Sequence, residues 1–190
     1  RRAPYTDRNP GGQLPALELE DGHVIGETVA IFEYLEEKHP NPPLIGRTAE
    51  ERAQTRMWQR PVELKITEHL YNGFRFSEGI EIFKPRMRVL PEAAEGLKAT
   101  ARDNLAWLDR LLGGKQFIAG ERFTIADIIL YCALDFGASA RWPAIWASAS
   151  APSGRPMKWT ASCAATARTS ACGSARPTSS DAKRTSRRAR

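Results

Sequence analysis

The spacing of apolar residues changes character three times along the chain. Leu14-Pro15-Ala16-Leu17-Glu18-Leu19 predicts a short strand, and Glu20-Asp21-Gly22-His23 offers the Asp-Gly chemistry of a tight hairpin turn. His23-Val24-Ile25 then returns as a second strand. From Gly26-Glu27-Thr28 the period lengthens: Val29, Ile31, Phe32 and Leu35 fall on one side of a helix reaching about Lys38. His39-Pro40-Asn41-Pro42-Pro43 ends it, because proline cannot continue the hydrogen-bond ladder.

Thr48 with Glu51 forms a capping box for a long helix over 49–73, kinked or interrupted at Pro61. A further helix starts near Pro91 and carries Leu97, Ala101, Leu105, Leu108 and Leu112 as one apolar stripe, stopped by Gly113-Gly114. The last helix runs from Thr124, with Asp127 at the position that completes a second capping box and Phe123 and Ile128 placed as a hydrophobic staple. Ile125, Ile128, Ile129, Leu130, Cys132, Leu134 and Phe136 make it apolar nearly all round, which predicts a place in the middle of a helical bundle, with Cys132 an inert small hydrophobe. The predicted class is α+β: a strand hairpin and helix over 1–43, then an all-helical domain over 44–139.

Beyond Ala140 the pattern is lost. Residues 140–190 hold thirteen alanines, nine serines and eight arginines, with no Leu, Val or Phe. Such a composition cannot offset the entropy of ordering, so a disordered tail is expected. The same stretch explains the net charge of +6: ten bases against Asp181 alone make it +9, leaving the preceding 139 residues at −3. Nucleic-acid binding by the folded part therefore has no support. A flexible basic tail, a shifted reading frame and a nucleic-acid-binding arm built on Trp142, Trp146 and Trp159 are the three readings of this segment; the abrupt break after a well-patterned helix favours the frame shift.

No apolar run approaches the ~18–20 residues that span a bilayer, and the first residues lack the apolar stretch of a secretory signal. Three cysteines and three scattered histidines supply neither a disulfide framework nor a metal-ligand spacing. No membrane association, no metal and a cytoplasmic location are the expectations.

Three motifs in order carry a resemblance. Asn9-Pro10-Gly11-Gly12-Gln13-Leu14-Pro15-Ala16-Leu17, then Ile25-Gly26-Glu27-Thr28 with Ile31, Tyr34 and Leu35, then Phe123-Thr124-Ile125-Ala126-Asp127 resemble segments of the soluble glutathione transferase family over about residues 5–139. The resemblance implies a thioredoxin-like glutathione-binding start followed by an all-helical domain. It implies a cis bond before Pro15, Glu27 and Thr28 on the γ-glutamyl end of glutathione, Gln13 on the peptide, and the Leu14 main chain paired with the cysteinyl part. A helix N-terminus with unpaired N–H groups, where Thr28 stands, is a natural carboxylate cradle. Asp127 is expected to cap, with no chemistry. Trp58, Tyr71 and Phe74 either face the acceptor pocket or pack in the core.

The resemblance further implies glutathione as co-substrate, a small apolar electrophile as acceptor and a cytosolic homodimer. In the family, the Ser, Tyr or Cys that stabilises the glutathione thiolate lies ahead of the matched stretch, so the catalytic residue is unknown here; Tyr5 and Thr6 lie in the wrong segment. A chain lacking that region is expected to be poorly soluble and inactive. The alternative is a non-catalytic module of the same fold that serves protein interaction.

Overall fold

The computed structural model describes residues 3–140, and the expectations for the basic tail fall outside that range. A short helix, α1 (Tyr5–Arg8), precedes a two-stranded antiparallel sheet, β1 (Leu17–Glu18) and β2 (Val24–Ile25), in which Leu17 faces Ile25 and Glu18 faces Val24. The strand expected over 14–19 is thus confined to Leu17–Glu18. The hairpin is the one that Asp21-Gly22 predicts. Gly22 takes φ +83°, and the Asp21 carboxylate accepts from the His23 N–H at 2.9 Å.

Helix α2 (Thr28–Lys38) departs from its expected face. Ile31 is buried, but Leu35 is 40% exposed while Glu36 is 8% exposed. The reason is electrostatic. Both Glu36 carboxylate oxygens accept from the main-chain N–H groups of Leu44, Ile45 and Gly46 at 2.8–2.9 Å, so the carboxylate turns inward to hold the loop after the proline run. That loop in turn accepts from the Ile125 N–H through the Leu44 carbonyl, at 3.1 Å.

Helix α3 (Ala49–Pro61) begins at Thr48, whose hydroxyl accepts from the Glu51 N–H at 3.2 Å. The Glu51 carboxylate reaches one residue further back than expected, to the Arg47 N–H at 2.7 Å. At Pro61 the helix does not break. It widens into a π-helical segment, Val62–Thr67, and resumes as α4 (Glu68–Arg75). Proline lacks an N–H and its ring crowds the preceding turn, and the wider winding accommodates both.

A short α5 (Ile80–Phe83) and a 3₁₀ turn (Pro91–Ala93) lead to α6 (Ala94–Leu112), then α7 (Ile125–Ser139). Four of the five residues of the predicted stripe on α6 are core: Ala101, Leu105, Leu108 and Leu112 pack with Val62, Ile66 and Leu70 and with Leu130 and Leu134 of α7, while Leu97 is half-buried outside it. Lys98 also lies in that stripe, buried to the Nζ, which reaches Glu78 at 2.8 Å and Glu95 at 3.1 Å. Its stem fits because Gly73 has no Cβ, which would stand 2.8 Å from the Lys98 Cγ. Helix α7 is central on one side only. Cys132 and Asp135 are exposed, correcting the expectation of a buried cysteine.

The capping box of α7 forms as predicted. Asp127 is fully buried and accepts from the Thr124 N–H and hydroxyl at 2.9 and 3.1 Å, and from the Ile118 N–H at 2.9 Å. The last bond ties the 117–120 turn to the helix start. Phe123 meets Phe117 edge to face, with ring centroids 5.6 Å apart.

Candidate functional site

Asn9 organises the loop that follows α1. Its side chain is 8% exposed and donates to the Gln13 carbonyl at 2.9 Å and to the Tyr5 hydroxyl at 3.0 Å. The Tyr5 hydroxyl donates to the same Gln13 carbonyl. The Asn9 carbonyl accepts from the Gly12 N–H at 2.8 Å, which closes the turn at Gly12, φ +62°. Asn9 also meets the start of α2. A Cβ on Gly26 would stand 3.4 Å from the Asn9 Oδ1, and one on Gly11 3.6 Å from it. One buried amide therefore brings the 11–15 loop and the Gly26-Glu27-Thr28 turn together.

On this frame the five candidate residues fall into two groups. Gln13, Leu14 and Pro15 form an exposed edge, with Leu14 60% exposed and the Leu14–Pro15 bond cis. Among the described residues, none hydrogen-bonds to the Leu14 main chain. Glu27 and Thr28 stand at the start of α2. Glu27 is the one non-glycine described residue with positive φ, at φ 61° and ψ 118°. That backbone costs about 1–3 kcal/mol for a residue with a Cβ, and such strain concentrates at functional sites. The Glu27 carbonyl accepts the first helical bond, from Ile31 at 3.1 Å, and no side chain caps the N–H groups of the first turn. They remain able to receive an anion.

Beside the Gln13-Leu14 edge opens a cleft of about 580 Å³. Thr6, Gly11, Gly12, Gln13 and Leu14 form one wall; Arg75 at the end of α4, Phe83 at the end of α5, and Pro85, Arg86 and Met87 form the other. Pro15, Glu27 and Thr28 lie off the cleft. Trp58 and Tyr71 pack against the core, and Phe74 stacks edge to face on Phe83 and Phe136, so the three aromatics considered for the acceptor pocket take the packing role.

The sequence reading missed Asn9 as an organiser and missed the second wall. Residues 76–90 carry no apolar periodicity. Their one signal was the density of bases around Pro85, at Lys84, Arg86 and Arg88. Arg75 and Arg86 stand at 5.7 and 5.8 Å from the Phe83 ring centroid, one guanidinium on each contact.

Outside the cleft, partial desolvation of the Cys132 sulfur, on a residue otherwise exposed, pushes its thiol above the usual range, and the charge of Asp135 adds to the effect. Glu78 is pulled the other way. Burial raises it, but the hydrogen bonds from Lys98 and Ser77 outweigh burial and hold its carboxyl below the ordinary value. Among the described residues there is no cluster of His, Cys, Asp and Glu fit for a metal ion, and no helix is long and apolar enough to cross a membrane.

The family model for the glutathione S-transferase N-terminal domain matches residues 1–38, and that for the glutathione S-transferase C-terminal domain matches residues 91–150. FtsZ-localized protein A of Caulobacter vibrioides is 34% identical over 132 residues, covering 65% of this chain and 55% of that protein. Glutathione S-transferase GstA of Escherichia coli O157:H7 is 34% identical over 135 residues, covering 68% and 60%. The crystal structure of a glutathione S-transferase domain-containing protein from Marinobacter aquaeolei superposes with a TM-score of 0.66 at 28% identity, covering 81% of this chain and 80% of that one. The chain belongs to the glutathione S-transferase family, with that family's α+β architecture of a thioredoxin-like start and an all-helical C-terminal domain. It spans little more than half the length of the two curated relatives.

Proposed function

We propose that the protein is a glutathione transferase: it binds glutathione along the Gln13-Leu14-Pro15 edge and the N-terminus of α2, and offers its thiolate to an electrophile in the adjoining cleft. The observation that carries the reading is the joining of these two anchor points by Asn9, beside a cleft between the N-terminal loop and the α4–α5 wall. Glutathione is a tripeptide with two carboxylates and an ammonium group. The open N–H groups of the first turn of α2 and the Thr28 hydroxyl suit its γ-glutamyl carboxylate, while Glu27 suits the ammonium. The free main chain of Leu14 suits an added extended strand, as in β-augmentation, and Gln13 suits the peptide amides. Pro15 shapes that edge.

In the reaction the thiol loses its proton to solvent and the sulfur lone pair forms the C–S bond. The leaving group departs with the bonding electrons, or an activated alkene takes up a proton. The group that stabilises the thiolate is not assigned. A cytosolic homodimer is the setting this reading implies. It is tested by calorimetric titration of glutathione. The wild type is expected to bind, and Thr28→Ala to weaken binding about tenfold through loss of one charge-assisted hydrogen bond. Absence of binding by the wild type refutes the reading.

A second reading is a protein-interaction module of the same fold. The relative named FtsZ-localized protein A favours it, since that name describes a location on another protein. Glutathione binding without conjugation of any electrophile is its signature.

A further inference from the structure

We propose that the cleft selects an electrophile whose apolar body carries a carboxylate, with Arg75 and Arg86 as the pair that binds the anion. The inference rests on the transferase reading above and names its acceptor class. It replaces the purely apolar acceptor that the family resemblance implies.

The argument begins with which bases are already neutralised. Around the cleft, Lys84 pairs with Glu81 at 2.6 Å, and Lys98 with Glu78 at 2.8 Å and Glu95 at 3.1 Å. Arg75 and Arg86 differ from both. Neither has a carboxylate within ion-pair distance among the described residues, and no acidic side chain lines the cleft. Arg75 is half-buried, its Nη1 donates to the Asn72 Oδ1 at 2.8 Å, and its remaining donors are available. Arg86 is exposed at the rim.

Both guanidinium groups lie against the same ring, Phe83, at 5.7 and 5.8 Å. That contact orients two planar forks with little further loss of side-chain freedom, and a guanidinium is weakly hydrated, so meeting a carboxylate costs little desolvation. Two like charges lining one concavity raise the local potential for an anion. Phe83, Pro85, Met87 and Leu14 supply the apolar part of the lining. A flat apolar body with one carboxylate satisfies both features.

Glutathione is the other source of a carboxylate. Its anchor points at Glu27 and Thr28 lie off the cleft, while Gln13 and Leu14 line it on a segment separate in sequence from both arginines. The arginines are assigned to the second substrate, and titration of glutathione separates the two sources.

The test compares a chloronitrobenzoate anion with its methyl ester, two probes that differ in one charge. Binding of each is measured by calorimetry with and without glutathione, and glutathione is titrated alone. The measurements use the wild-type chain, Arg75→Gln/Arg86→Gln, Arg86→Lys and the control Lys84→Gln, each checked for an unchanged melting transition. The acid is expected to bind about tenfold more tightly than the ester. That ratio is expected to collapse in the double variant, to recover partly in Arg86→Lys, and to be unmoved in Lys84→Gln, with glutathione affinity constant throughout. Equal binding of acid and ester by the wild type overturns the proposal. So does a ratio that survives the double variant, and so does a loss of glutathione affinity in that variant, which would hand the arginines to glutathione. Wild-type chain that ignores glutathione yet prefers the acid refutes the transferase reading while leaving the anion site standing.

Discussion

Replacing Glu36 by alanine isolates the role of one buried carboxylate. Its two oxygens serve the N–H groups of Leu44, Ile45 and Gly46, each at 2.8–2.9 Å, and the residue is 8% exposed. Ile45 is fully buried and Gly46 is also buried, so water cannot readily replace the lost acceptor. A hydrogen bond to a charged group contributes about 1.5–3 kcal/mol, and a buried donor left alone costs about 1–3 kcal/mol. The three bonds share one carboxylate and do not add in full, which puts the expected loss at about 3–5 kcal/mol. The loop has little room to adapt. Gly46 sits at φ +136°, where a Cβ would meet the Glu51 Cβ at 2.7 Å and the Arg52 nitrogen at 2.9 Å. Because the Leu44 carbonyl accepts from Ile125, loosening the loop also releases the start of α7. Urea unfolding followed by circular dichroism measures the loss, and hydrogen exchange locates it. Glu36→Ala is expected to accelerate exchange at residues 44–46 ahead of α6, with Glu36→Gln intermediate because it keeps the volume and one acceptor. A loss below about 1 kcal/mol, the worth of an exposed carboxylate, would refute the reasoning.

Asp127→Ala removes the acceptor of the Thr124 and Ile118 N–H groups inside a fully buried site, and about 2–4 kcal/mol is expected to be lost from the unfolding free energy measured in urea. The Glu78 carboxyl lies below its ordinary value of 4.5, so its contribution is present above that pH and is lost as pH falls through the lower folded value. Wild type and Glu78→Gln should therefore differ in melting temperature at neutral pH and converge in strong acid. The Lys98 ammonium, raised above 10.5 by Glu78 and Glu95 despite its burial, adds stability that persists below that pH and fades as pH rises past the folded value. Cys132, with its thiol raised by partial desolvation and by Asp135, is expected to react with a disulfide reagent more slowly at neutral pH than a free cysteine, in a Cys163→Ser/Cys172→Ser background.

The parts of the fold that were legible in the sequence are those where one local rule decides. Asp21-Gly22 fixes the hairpin, Thr48 and Thr124 start their helices, and the α6 stripe names its own core. The parts that were not legible are charges turned inward by distant partners. Glu36 reads as surface next to Leu35 until the loop at 44–46 is seen to need its oxygens, and Lys98 reads as the polar neighbour of Leu97 until Glu78 arrives from the segment before α5. The exposed edge at Gln13 to Pro15, with its cis bond before Pro15, is legible from the motif. Its organiser, Asn9, was passed over because a buried amide has no spacing signature. The Arg75 and Arg86 wall was passed over because short helices and turns carry no periodicity to read.

The π-helical segment at 62–67 bears on how this chain tolerates changes in length. A π-helical turn takes up about one residue more than an α-helical turn, so deleting one residue there lets the winding tighten to an α-helix with everything downstream still on its own face. A further insertion has no such outlet: an α-helix advances about 100° per residue, so Leu70 would swing out of the core and Arg75 off the cleft, though every side chain remained present. Val62, Ile66 and Leu70 all lie in the core, on the widened segment and the helix that follows it. Loss of one residue in this stretch is therefore a local event, whereas an insertion is read out at the cleft, two turns away.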